Sequence, residues 1–305
     1  MPINPTPVSK REINTNCKAT VSSVVNLIDA KYSFNDLIIS QKLKEKLLEL
    51  ISYENNKKLI FQEWGLSRVL PQKGLSVCLY GESGTGKTMC AHAIANCIKK
   101  KMLIVNYAEI ESKFVGETSK NLVRLFLEAK QNDAILLFDE ADALLSKRVS
   151  SMSTASDVSV NQTRNTLLKL LDEYEGIVIY TTNFAENFDS AFARRIFAHI
   201  NITLPDENGR KALWEHYLVS SLPINNREET IQELSQVDGI TGADIANIVL
   251  RAAIKLSVSE KKEIHCEDLI GYIQDCLNTK SLTKDKFIYE TRKVSKEYIQ
   301  EKIGK

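Results

Sequence analysis

Residues 75–100 read LSVCLYGESGTGKTMCAHAIANCIKK: an apolar run, a glycine-rich turn, then a stretch of helical period. Six apolar-rich residues ending at a glycine predict a strand covered on both faces. From Gly81 to Thr88 the segment GESGTGKT fits G-x-x-x-x-G-K-[ST], the phosphate loop, in the strand–loop–helix setting that this motif requires. Its glycines let backbone N–H groups turn inward without a Cβ clash, and the start of the following helix adds the positive end of a dipole. A polyphosphate is thereby expected along Glu82, Ser83, Gly84, Thr85, Gly86, Lys87, Thr88 and Met89. Lys87 would reach its β and γ phosphates, and the Thr88 hydroxyl would ligate Mg²⁺.

Outward from that loop, the runs LSVCLY, MLIVNY, AILLF, GIVIYTT and FAHINITL alternate with longer amphipathic segments between Leu75 and Leu204. The alternation predicts an α/β unit over 33–205 whose five parallel strands are covered by helices, with ligands at the carboxyl ends of the strands. The third run continues into carboxylates, AILLFDEAD, and charge at the tip of a core strand is costly unless it does electrostatic work. Asp139 is the candidate metal ligand beside Thr88, and Glu140 the candidate general base for water. GIVIYTTN brings Asn183 to the end of another strand, where its amide could orient that water or touch the γ phosphate. In FDSAFARRI, Arg194 and Arg195 close a short helix; they read either as surface charges complementing its dipole or as cations for a phosphate.

After Pro205 no strand run follows, and Glu207–Ser220, Arg227–Gln236, Thr241–Leu256 and His265–Leu277 are expected to form a small all-α domain over 206–279. Thr241 and Asp244 are spaced as a capping box at the third of these helices. Before the sheet, Phe34 to Ile51 is predicted to be one amphipathic helix with Leu43, Leu47, Leu48 and Ile51 on its apolar face. Residues 1–32 read as a mobile arm or as a segment that orders on contact with a partner, Val21 to Ile28 being apolar enough to dock, and 280–305 as a basic amphipathic helix with Phe287, Val294, Tyr298 and Ile299 free to dock. The 305 residues hold 40 Lys and Arg against 39 Asp and Glu, so no global field draws nucleic acid or an anionic membrane. No apolar run nears the roughly 18 residues of a membrane span and no secretory leader is evident, so the expected location is the cytoplasm. The six cysteines show no CxxC pairing, and a disulfide framework or zinc site is not expected.

In this order, the phosphate loop, FDEAD, TTNF and FARRI resemble the AAA ATPases, ring-forming protein-remodelling motors of the P-loop class that include FtsH-like and katanin- or spastin-like enzymes. The resemblance runs from about Phe34 to Asn278. It implies ATP and Mg²⁺ as cofactors, a helical lid over the nucleotide, and self-association into a ring, with a homohexamer as the expected form. Asn183 matches the family's sensor asparagine. Arg194 and Arg195 match the arginine fingers that complete a neighbouring subunit's site. Lys113, Phe114 and Val115 resemble the first pore loop, with Phe114 either a paddle that grips polypeptide or a core residue at a loop end. The stretch Ser146 to Val160 falls where the family has its second pore loop. In GITGAD, Gly242 and Ala243 match the start of the lid helix whose backbone nears the adenine.

Departures from the pattern are visible too. Glu82 and Ser83 stand where prolines are common, which puts an acid beside the phosphates unless Glu82 points outward. No amino-terminal substrate domain is expected before Phe34, nor a protease after the lid. The resemblance thus implies an ATP-driven unfoldase or remodelling chaperone with a protein client. Small single-ring members of this kind serve one partner, such as a HORMA-domain signalling protein in bacterial antiphage defence or a contractile injection particle. Two other classes stay open: a nucleic-acid motor, suggested by the letters DEAD at Asp139–Asp142, and a nucleotide-gated scaffold that hydrolyses slowly. Nucleic acid is disfavoured by the balanced charge, and a DEAD-box helicase would need a second RecA-like domain.

Overall fold

The computed structural model describes residues 27–69, 74–106, 118–145, 155–183, 189–259 and 261–282. Six strands form one sheet: β1 (Leu27–Ile28), β2 (Leu75–Tyr80), β3 (Met102–Asn106), β4 (Ile135–Asp139), β5 (Ile177–Thr182) and β6 (Ala198–Asn201). Their spatial order is β1-β3-β4-β5-β2-β6, with β2 through β6 mutually parallel. Around them lie α1 (Gln41–Asn55), α2 (Lys87–Ile98), α3 (Thr118–Gln131), α4 (Asp142–Leu145), α5 (Ala155–Glu173) and α6 (Ser190–Ala193). The helical C-terminal part comprises α7 (Glu207–Tyr217), α8 (Arg227–Ser235), α9 (Gly242–Val258) and α10 over 266–282.

Why the strands read as unbroken apolar runs is visible in β4. Leu136 and Phe138 enter a core with Leu122, Phe126 and Leu167 on one face of the sheet. Ile135 and Leu137 enter a second core with Leu47, Leu50, Ile94 and Leu79 on the other. Successive side chains point to opposite faces, so a strand covered twice must be apolar at every position. Each of these buried side chains contributes about 1.5–3 kcal/mol, enough to offset the roughly 1–2 kcal/mol of backbone entropy lost per residue. A third cluster, built on Trp214, Leu234, Ile245, Ile248, Leu269 and Ile273, holds the C-terminal helices together.

Four expectations are corrected. The sheet has six strands, because Leu27 and Ile28 pair antiparallel with Leu103 and Met102. Two residues carry no periodicity, and the pairing arises because β3 would otherwise present an open edge. The arm therefore cannot extend to residue 32: from residue 27 the chain belongs to the sheet unit. The amphipathic segment at 34–51 is not one helix. A 3₁₀ turn at Phe34–Asp36, capped by Ser33, is followed by extended residues, and α1 starts only after Ser40, whose hydroxyl accepts the Leu43 N–H. Finally, α10 passes through residues 279 and 280 without a break, since no Gly or Pro falls there to end it. Residues 1–26 and 283–305, with the docking side chains expected there, lie outside the described residues. Among the described residues no helix is long and apolar enough to cross a membrane.

Candidate nucleotide site

The carboxyl ends of β2, β4 and β5 meet at one cleft of about 540 Å³, roofed by the start of α9 and by α7. Its lining includes Ser83, Gly84, Thr85, Gly86, Lys87, Thr88, Met89, Asp139, Glu140, Asn183, Gly242 and Ala243. Apart from Glu82, Arg194 and Arg195, the residues singled out from the sequence for the nucleotide, its metal and its hydrolysis are thus brought to one place. Glu82 is the exception in the loop: its exposed side chain is not in the lining, and its carbonyl accepts from Lys87 Nζ at 2.9 Å.

Glycine is required at two points of the loop. At Gly81 (φ +150°) a Cβ would sit 2.2 Å from the Ile202 carbonyl oxygen. At Gly84 (φ +81°) it would sit 2.7 Å from Thr241 Oγ1 and 2.8 Å from Ala243 Cβ, because the start of α9 is docked on the loop. The Ala243 N–H donates to the Gly84 carbonyl at 3.3 Å. The expected capping box is present, with Thr241 and Asp244 each satisfying the other's backbone N–H. Lys280 on α10 closes on the same carboxylate at 2.5 Å. Burial alone would raise the Asp244 pKa, but Lys280 and the Thr241 bonds outweigh it and hold the group below the usual carboxylate range. Gly84→Ala is expected to weaken binding of a fluorescent ATP analogue by about tenfold or more, since a left-handed Ala costs roughly 1–2 kcal/mol before any displacement of α9. Unchanged affinity in a titration would contradict the docking.

Lys87 Nζ donates to the Gly81 and Glu82 carbonyls at 3.0 and 2.9 Å and to Asn183 Oδ1 at 2.8 Å. Burial pulls its pKa below the usual lysine value, against the opposing pull of Asp142, Asp139 and Glu140. Thr88 Oγ1 lies 3.0 Å from Asp139 Oδ1, and the Thr181 hydroxyl donates to that same oxygen. Glu140 holds a left-handed backbone (φ +52°), with its N–H donating to Thr181 Oγ1 at 3.1 Å. Strain of this kind in a non-glycine residue clusters at functional sites. Asp142 accepts from the Thr182 hydroxyl and from the Asn183 N–H, the latter at 3.0 Å, and so ties β4's acidic tip to the end of β5.

The residues fit a Mg²⁺ nucleoside triphosphate. Gly86, the residue before α2, has no side chain to cap the helix, so the first N–H groups of α2 are left for an anion. A Cβ on Gly86 would meet nothing within 4 Å, which leaves the cradle open. Thr88 and Asp139 supply the oxygen donors that a hard cation takes.

Arg194 and Arg195 are not in the cleft lining. Arg194, at the C-terminus of α6, is exposed. Arg195 forks onto Asp172 through Nε at 2.9 Å and a terminal nitrogen at 2.8 Å, and this raises its pKa further. Lys113, Phe114 and Val115 lie outside the described residues, as does most of 146–160. Sequence reasoning missed Thr181, Thr182 and Asp142 as the network fixing the two acidic positions. It also missed Asp36, Leu37, Ile38 and Ile39 as a wall of the cleft, and Leu213, His216 and Tyr217 facing it from α7. The paired threonines at the tip of an otherwise apolar strand were the available signal for the first group; the others arise only from packing.

A phosphate loop and an acidic strand tip at the head of a parallel sheet, with a helical part closing the cleft, define a P-loop ATPase domain of the AAA type. Residues 77–204 match the model of the ATPase family associated with various cellular activities (AAA), and the chain carries a domain of that family. It is 34% identical over 260 residues to cell division protein C of Sulfolobus acidocaldarius, covering 80% of this chain and 65% of that one. It is 34% identical over 242 residues to Protein SAV of the same organism, covering 76% and 30%. A proteasome-activating nucleotidase of Saccharolobus islandicus is 32% identical over 243 residues, covering 77% and 60%. This chain thus spans less than two thirds of these curated relatives. The AAA domain of FIGL-1, solved in complex with ADP, matches the fold with a TM-score of 0.66 at 21% identity, over 87% of this chain and 94% of that one.

Proposed function

We propose that the chain is an ATPase that works as a ring, remodelling or unfolding a protein client. The observation that carries the hydrolytic reading is the assembly of Lys87, the Thr88–Asp139 pair, Glu140 and Asn183 in one cleft. Bound Mg²⁺ would neutralise charge on the β and γ phosphates. Lys87 holds those phosphates from the loop side, and Asn183, fixed by Asp142 through its backbone N–H, faces the terminal group. Glu140 takes a proton from water as its oxygen attacks the γ phosphorus. The bond to the bridging oxygen breaks, and the electron pair leaves with ADP.

Self-association is supported by what the cleft lacks. Among the described residues its lining contains no arginine, whereas Arg194 stands exposed on the same unit. Near it, Phe197 and Trp64 are 60% and 66% exposed beside an apolar groove that Tyr53, Leu59 and Ile60 also line. Exposed aromatic side chains grouped along one groove are a common mark of an interface. A protein client is supported by the likeness to proteasome-activating nucleotidases. The narrower form, one dedicated client such as a HORMA-domain protein in antiphage defence, rests on the family resemblance alone. The helical build of 207–282, with only an isolated bridge between Ile224 and Ile264, does not favour a helicase of the DEAD-box kind. The test is capture of a client on Glu140→Gln in ATP. Recovery of nucleic acid in place of protein would refute the client proposal.

A further inference from the structure

A buried histidine on α2 has no place in the chemistry above. His92 is 4% exposed, and Ala91, Ile94 and Ala95 on the same helix belong to an apolar core. A ring so enclosed needs a polar partner. It has one in the chain that enters the sheet unit: the Lys31 N–H donates to His92 Nδ1 at 3.2 Å. The Tyr32 ring meets the imidazole edge-on, with centroids 5.7 Å apart. Burial lowers the His92 pKa, with Lys31 adding to the effect and Asp139 opposing it, so the ring is neutral and Nδ1 is free to accept.

The contact lies in the middle of a continuous strap. Leu27 and Ile28 are paired to β3, and Asp29 faces Lys101 at 3.7 Å. Beyond Tyr32, Ser33 and Asp36 close a capping box that starts the 3₁₀ turn. Asp36, Leu37, Ile38 and Ile39 then form one wall of the nucleotide cleft. The other end of the relation is covalent: α2 begins at Lys87, inside the phosphate loop, and reaches His92 just over one turn later. One short helix therefore presents the phosphate cradle at its start and, at its second turn, holds the strap that leads into the wall at Asp36–Ile39.

We propose that His92 is a positioning residue: through the Lys31 backbone it sets the spacing between the wall at Asp36–Ile39 and the phosphate loop, and so sets affinity for the nucleoside end of ATP. The proposal rests on the reading of the cleft as an ATP site. His92→Phe, which keeps the ring and loses the acceptor, is expected to raise the Kd and KM for ATP by about threefold to tenfold, the worth of one net hydrogen bond, with kcat within about twofold. His92→Asn, which places an amide oxygen near the position of Nδ1, is expected to restore much of the affinity. Lys31→Pro removes the same bond from an exposed position and is expected to match His92→Phe, so a core variant that failed to fold would not end the test. Hydrogen exchange over 31–39 should quicken in the variants that lose the bond. Wild-type affinity in both His92→Phe and Lys31→Pro, or equal losses in His92→Phe and His92→Asn without an effect of Lys31→Pro, would overturn the proposal. Equal ATP binding by wild type and Lys87→Ala would instead overturn the site assignment beneath it.

Discussion

Glu140→Gln is expected to lower ATP turnover by about 10²–10⁴-fold while nucleotide affinity stays near the wild-type value. The substitution keeps size and shape, and removes only the capacity to take a proton. Contacts that place the residue are made by its backbone: the N–H bonds to Thr181, and the left-handed turn follows from the bond between the Ala141 N–H and the Thr181 carbonyl. Neither involves the carboxylate, so the phosphate loop and the Thr88–Asp139 pair should stay in place. A loss of that size corresponds to about 3–5 kcal/mol of transition-state stabilisation. Steady-state phosphate release and an equilibrium titration, made on the same preparation, separate the two quantities. Turnover at the wild-type rate would remove Glu140 from the chemistry. Loss of binding would mean that the residue shapes the cleft.

Arg194→Ala is expected to cost about 10³-fold or more in turnover of the assembled protein, the range for a finger supplied by a neighbour. The two arginines should not behave alike. Arg195 is committed to Asp172 and to the Ala191 carbonyl within its own chain, so Arg195→Ala strips a forked ion pair that braces α6 against α5. Arg194 makes no such ion pair among the described residues and is exposed at the helix end. A mixing experiment decides where it acts. Rings assembled from Arg194→Ala and Glu140→Gln subunits together would contain some interfaces with both groups intact, and should regain activity that neither parent shows. If Arg194 served its own cleft, no mixture could recover, because every subunit would lack one of the two.

The phosphate loop and the acidic strand tip were legible because their chemistry demands particular residues in an unbroken run. Everything that joins distant runs was not. Asp142 reaches Thr182 and Asn183 only because β4 and β5 pair in a register that sets Phe138 opposite Tyr180. The apolar face of α1 was misassigned at one position: at 3.6 residues per turn Leu50 lies in line with Leu43 and is buried, whereas Leu48 falls to the side and is 39% exposed. The cleft wall at Asp36–Ile39 was hidden for a related reason, since an extended segment between a 3₁₀ turn and a helix has no period to read. His216 and Tyr217 line the cleft from a helix whose own pattern says only that one side is apolar.

The two-residue strand at the margin of the sheet bears on how this protein can be handled. Leu27 and Ile28 shield a flank of β3 at Met102 and Leu103, both fully enclosed. A recombinant fragment trimmed to begin at Phe34, the start of the family resemblance, would bare a row of unpaired amides above two greasy side chains. Such margins recruit one another, so the shortened form should clump where the longer one stays dispersed.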